Sequence, residues 1–160
     1  MGFVESRGRT WDTLTELNTW VSKQITDSGG LDTAYAALTY DTGGGRTKGD
    51  FIVHVATLAT INIAGYNLRW VLQGSNTAAA AFTSYVPLAM VALGDTGASS
   101  YAPHFVSQDS PNSTAGGWYV RPFDNDYGGV LYRYLRCYFY TGGTPQAGTI
   151  YRAYISKDAG

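Results

Sequence analysis

Side chains that move protons, hold metals or attack carbonyl groups are scarce in this 160-residue chain: it has two histidines, His54 and His104, and one cysteine, Cys137. His54 sits between Val53 and Val55 in a strand-like run, which reads as a structural histidine rather than a base or ligand. His104 lies in Tyr101-Ala102-Pro103-His104-Phe105 with no motif around it to set up proton transfer. Cys137 alternates with Leu135 and Phe139, the pattern of an inert core thiol. One thiol excludes an internal disulfide and any multi-thiolate zinc or iron–sulfur site, and two histidines leave little for a histidine-rich metal site. No Gly-x-Ser-x-Gly elbow is present. Gly43-Gly44-Gly45-Arg46-Thr47-Lys48-Gly49 resembles a phosphate loop but lacks its Gly-Lys-Ser/Thr ending, so it reads as a turn. Asp124-Asn125-Asp126 offers alternating oxygen ligands, yet Tyr127, Gly128 and Gly129 follow and no Glu closes the loop as calcium would need. As a glycosidase pair, these two acids would need help from the fold to flank a sugar at about 5–9 Å. The triplet reads as a turn held by Asx hydrogen bonds. The expectation is a protein that is not an enzyme, with no catalytic residues, cofactor or metal.

What must be positioned, then, is surface. Short β-branched and aromatic runs alternate with Gly-rich breaks, which predicts an all-β fold, a single jelly-roll-like β-sandwich. Strands are predicted at 34–40, 51–60, 67–74, 85–92, 118–123, 131–140 and 149–156. Two regions break this rhythm. Residues 95–116 are rich in Gly, Ser, Pro and Asn and read as a long loop. Residues 1–27 carry Trp11, Leu14, Leu17, Val21 and Ile25 at spacings of three or four, which fits a short amphipathic helix, although the many threonines oppose one. The organisation expected is an N-terminal arm at 1–27 and a sandwich domain at 28–160, with the arm reaching a neighbouring subunit through Trp11, Leu14 and Leu17. Its deletion is expected to leave a folded domain.

Successive side chains of a strand point to opposite faces. In 131–140 the odd positions Leu135, Cys137 and Phe139 belong in a core, while the even positions Tyr132, Tyr134, Arg136, Tyr138 and Tyr140 form an aromatic and basic stripe. In 149–156, Tyr151, Ala153 and Ile155 alternate with Ile150, Arg152 and Tyr154. The short link between the two runs predicts an antiparallel hairpin, which would place Arg152 and Tyr154 beside the stripe. Such a face is either cross-strand pairing on a solvated sheet or a recognition surface, and both readings stand at this stage. On the second, Arg136→Ala should barely change stability while weakening assembly. The runs at 51–60 and 67–74 are apolar on both faces or nearly so, which predicts central strands covered on two sides or packed on another chain.

Composition points the same way. Only 14% of residues are Asp, Glu, Lys or Arg, against roughly 25% in ordinary domains, and 20 Gly and 13 Tyr take their place. Tyrosine is enriched at protein interfaces, so this favours an assembly component. The 11 basic and 12 acidic residues give a net charge of −1, which is not that of a nucleic-acid binder. No apolar run approaches the roughly 20 residues that span a bilayer, and the charged start MGFVESRGRTW does not read as a signal peptide, so synthesis in a cytoplasm is expected.

Three segments carry a resemblance: Phe51-Ile52-Val53-His54-Val55, Leu68-Arg69-Trp70-Val71-Leu72-Gln73-Gly74-Ser75-Asn76 and Tyr132-Arg133-Tyr134-Leu135-Arg136-Cys137-Tyr138. In order and spacing, over roughly residues 34–156, the chain resembles the jelly-roll cement, or decoration, proteins on the heads of tailed bacteriophages. The N-terminal arm and the 95–116 loop depart from that pattern. The resemblance implies a structural virion protein on the outer surface of the phage head. It would bind the major capsid protein as a dimer or trimer, stabilise contacts between capsid subunits, and engage neither nucleic acid nor membrane. The alternative class is a carbohydrate-binding or receptor-binding β-sandwich module of a phage particle, with a sugar stacked on Trp118, Tyr119 or Tyr101.

Overall fold

The computed structural model describes residues 14–17, 21–24, 39–57, 67–77, 84–94, 108–110, 117–142 and 147–157. Twelve strands occupy them: β1 (Leu14–Glu16), β2 (Val21–Gln24), β3 (Tyr40–Asp41), β4 (Lys48–Thr57), β5 (Asn67–Ser75), β6 (Val86–Gly94), β7 (Gln108–Ser110), β8 (Gly117–Asp124), β9 (Asp126–Tyr127), β10 (Val130–Leu131), β11 (Tyr134–Gly142) and β12 (Ala147–Lys157). The fold is all-β, and no helix occurs among the described residues. The predicted runs from 51–60 onward become β4, β5, β6, β8, β11 and β12 with shifts of a few residues. Of the run 34–40 only its end is described, in β3, and within 95–116 the segment Gln108–Ser110 is a strand rather than loop.

Two five-stranded sheets form the sandwich. The first runs β8-β4-β12, with β1 and β2 both on the far edge of β12; the second runs β3-β11-β5-β6-β7. All pairings are antiparallel except β6 with β7, and β9 and β10 form a separate hairpin. One apolar cluster lies between the sheets. Phe51, Val53 and Val55 of β4 and Tyr151, Ala153 and Ile155 of β12 enter it from one side; Leu68, Trp70 and Leu72 of β5 and Leu135, Cys137 and Phe139 of β11 enter from the other. Trp70 lies at its centre, with its ring 5.1 Å from Phe139 and 5.5 Å from Tyr151. Gly49 of β4 lets β12 approach closely, since a Cβ there would collide with the Ser156 carbonyl.

Three expectations are corrected. First, β11 and β12 are not a hairpin. They lie in different sheets, and their odd faces meet across the core, where Phe139 stacks on Tyr151 at 5.2 Å. The link between them, residues 143–146, is short enough for a hairpin, so its length does not choose the partner: β11 pairs with β5 and β12 with β4 instead. Second, where described, the arm is strand and not helix. β1 pairs with Tyr154–Ser156 and β2 with Ala147–Tyr151 along one edge of β12. The threonine-rich sequence disfavours a helix, and an open strand edge supplies the backbone partners it would otherwise lack. Third, Leu17 is no interface anchor: it is fully buried in the core, and its N–H donates to the Ala153 carbonyl at 2.8 Å. Trp11 lies outside the described residues, and Leu14 is placed in β1.

Candidate functional site

The tyrosine stripe sits where alternation places it, on the outer face of the second sheet. Along β11, Tyr134, Arg136, Tyr138 and Tyr140 pair in register with Ser75, Gln73, Val71 and Arg69 of β5. The three tyrosines are half-buried, but Arg136 is only 4% exposed. Its Nε donates to Gln73 Oε1 at 2.9 Å, and Gln73 Nε2 donates to the Tyr140 hydroxyl at 3.0 Å. The Tyr85 and Tyr140 hydroxyls share a hydrogen bond at 3.3 Å. The Arg136 guanidinium lies 5.2 Å above the Tyr138 ring, and Arg69 lies 5.7 Å above Tyr140. Burial pulls Arg136 below the usual guanidinium range, against the neighbouring tyrosines.

Arg136 is therefore part of the sheet's own polar lattice and not an exposed anchor, a correction to the sequence reading. Alternation tells which side a residue takes, not how far its neighbours cover it. Arg136→Ala would strand buried Gln73 Oε1 and is expected to destabilise the isolated protein by about 1–3 kcal/mol. A shift of the urea midpoint relative to wild type measures it; an unchanged midpoint would contradict the arrangement.

Arg152 and Tyr154 lie on the opposite side of the molecule, on the outer face of the first sheet, so the single combined surface predicted from the sequence is two surfaces. Here Arg152, His54 and Trp118 align in one cross-strand row, and Tyr154, Ile52 and Val120 in the next. Trp118 is 41% exposed and stacks on His54 at 3.9 Å with planes 4° apart, while Tyr154 lies 6.3 Å from it at 20°. Burial, then the Arg152 charge, lowers the His54 pKa and favours the neutral imidazole. Tyr119 turns to the other face of β8 and packs on the core, so it does not share a platform with Trp118. Tyr101 and His104 lie outside the described residues.

A third cluster gathers at one end of the sandwich, where the β3–β4 loop, the β8–β9 turn and the start of β11 meet. Arg133 grips Asp41 with two hydrogen bonds of 2.8 Å. Arg46 holds Asp124 at 2.7 Å and Lys48 lies 3.4 Å from the same carboxylate. Asn125 is fully buried between them. Its Oδ1 accepts from Thr47 N–H at 2.7 Å, and its Nδ2 donates to the carbonyls of Gly45 and Tyr132 at 2.9 and 3.0 Å. Tyr132 belongs to this end rather than to the stripe, with its N–H bonded to the Asn125 carbonyl. The Asp126 N–H donates to Asp124 Oδ1 at 2.9 Å, so the acidic triplet is the Asx-bonded turn expected, and its first carboxylate faces cations of the chain itself. Sequence reading missed the part played by Asn125; its position between two acids in a turn was the available signal.

The hydrogen bond from Arg133, then that from the Gly43 N–H, holds the Asp41 carboxyl down at about 2. A carboxyl lowered in the folded state favours folding above its unfolded pKa of about 3.9, and that contribution fades as pH falls toward 2. Carboxyl chemical shifts followed against pH are expected to titrate near 2 for Asp41 and to return toward the ordinary aspartate value in Arg133→Ala. Arg46 similarly holds Asp124 below its ordinary value. Burial alone raises the Cys137 thiol, which favours the protonated, unreactive form.

The fold and these surfaces define an all-β sandwich with aromatic outer faces. Comparison with family models, with curated proteins and with solved structures finds no match for the chain.

Proposed function

We propose that this protein is a structural decoration, or cement, protein of a bacteriophage head, with jelly-roll connectivity, working as a dimer or trimer on the outer surface of the shell. The observation that carries the reading is the presence of aromatic side chains on both outer faces: Tyr134, Tyr138 and Tyr140 on one, Trp118 and Tyr154 on the other. A body with contact surfaces on opposite sides suits bridging of two neighbouring subunits. Weak contacts made together gain strength through effective concentration. A surface rich in tyrosine and poor in charge supports the same role, because tyrosine brings contact area at low conformational entropy. The resemblance of the three strand segments agrees with it. The major capsid protein is the partner under this reading, and no chemical step is required of the chain.

Co-sedimentation with undecorated phage heads tests the reading. Saturable binding at a fixed number of copies per head is the expected result; protein that stays in the supernatant at all concentrations overturns it. The exposure of Trp118 favours a second reading, glycan binding through ring stacking. Glycan-array binding that is lost in Trp118→Ala and kept in an Arg133→Ala control would support that reading instead.

A further inference from the structure

Strand β8 ends one side of the first sheet: among the described residues it pairs only with β4, and no strand lies on its other edge. The ladder fixes which backbone groups face that edge. Residues 125 and 47 continue the register of β8 with β4, and the Asn125 N–H donates to the Thr47 carbonyl at 3.0 Å. Hydrogen-bonded and non-hydrogen-bonded pairs alternate in an antiparallel ladder. Phe123, Arg121 and Tyr119 therefore bond to β4, while Asp124, Pro122, Val120 and Trp118 turn their backbone groups to the outer edge. The two middle positions of that outward set are disabled. Pro122 has no N–H to offer. The Val120 carbonyl already accepts from Arg121 Nη1 at 2.9 Å. Arg121 holds a core-facing position, in one row with Phe51 and Ile155, yet its guanidinium turns back to the backbone of its own strand.

We infer that Arg121 and Pro122 together form a built-in stop against strand addition, which keeps a second copy of this chain from extending the first sheet through β8. An open edge is a template for pairing with another chain, and identical copies meet most readily about a two-fold axis. With that axis at Arg121, an antiparallel pair of β8 strands sets Val120 of each copy opposite Pro122 of the other. Each such pair needs a bond from the residue 122 N–H to the residue 120 carbonyl. The donor of that bond does not exist, and Arg121 occupies its acceptor. The same register brings the two Arg121 residues directly opposite each other, and like charges so placed repel. The other edges have other protection. β1 and β2 cover β12, and the second sheet ends on β3 and β7, which are two and three residues long. Very short edge strands offer little to pair with. β8, with eight residues and both Trp118 and Pro122 exposed, is the long edge among the described strands and the one that carries this device. The stop acts on copies of the chain whatever the outer faces bind.

The test compares wild type with Arg121→Thr/Pro122→Thr, which restores the missing donor, frees the Val120 carbonyl and removes the charge. Pro122→Thr alone is the second variant, should the double variant fold poorly; urea midpoints establish that each is folded. Self-association is read by sedimentation velocity over a concentration series, and its place in the structure by amide hydrogen exchange. In wild type the Trp118 and Val120 amides are expected to exchange fast beside slow Tyr119, Arg121 and Phe123 amides. The double variant is expected to associate at least about tenfold more tightly than wild type, with slowed exchange appearing at Trp118 and Val120. Folded variants that sediment as wild type does at every concentration overturn the inference. So do larger species without new protection at Trp118 and Val120, because they form elsewhere. Slow exchange of these two amides in wild type also overturns it, because the edge is then already paired.

Discussion

Trp70→Ala is expected to lower the unfolding free energy by about 3–5 kcal/mol, a large share of the roughly 5–15 kcal/mol that holds a typical domain. Trp70 is fully buried and ties the two sheets together, with Phe139 beside it in its own sheet and Tyr151 facing it from the other. Removing the indole leaves a cavity lined by side chains of central strands, which cannot collapse to fill it without shifting their ladders. The indole Nε1 has no hydrogen-bond partner among the described residues, so its loss strands no polar group and the effect is one of packing. Trp70→Phe keeps most of the ring volume and should lose markedly less than the alanine variant. Urea unfolding of both variants measures the difference. Losses below about 1 kcal/mol for Trp70→Ala would mean that the sheets do not meet at this residue.

Strand faces were legible because the period of two is a property of the strand itself. Leu135, Cys137 and Phe139 turn inward and Tyr134, Arg136 and Tyr138 outward as their alternation requires. Partnership was not legible. The same alternation in β12 is satisfied equally by a neighbour in the same sheet or by a strand facing it across the core, and only the three-dimensional pairing of β11 with β5 and β12 with β4 decides. The candidate surfaces inherit that limit: Arg152 and Tyr154 are outward, as read, but on the far side from the stripe. Burial of an outward residue depends on the reach of its neighbours, which is why Arg136 reads as surface and is covered. The hairpin at Gly128-Gly129 carried a local signal in its paired glycines, yet nothing local says that Asn125 ties the β3–β4 loop to the segment leading into β11.

Removing residues 1–27 is expected to destabilise the protein at least as much as Leu17→Ala, itself worth about 2–5 kcal/mol. The deletion takes away Leu17 from the core together with its hydrogen bond to Ala153. It also strips β1 and β2 from β12, which then presents an open ladder on the edge away from β4. Such an edge templates pairing with other chains, so the truncated protein should scatter light at concentrations where wild type and Leu17→Ala stay clear. Urea midpoints of wild type, Leu17→Ala and the 28–160 fragment separate the lost side chain from the lost ladder. A fragment as stable as wild type would show that the first sheet does not need β1 and β2. The outcome also governs how the arm is tested on phage heads. A truncated chain that fails to bind reports on docking only if it is folded, so Leu17→Ala, which keeps the arm's length while weakening its anchorage, is the sharper probe. Retained binding by a destabilised but folded Leu17→Ala would assign β1 and β2 to the body of the sandwich rather than to contact with a neighbour.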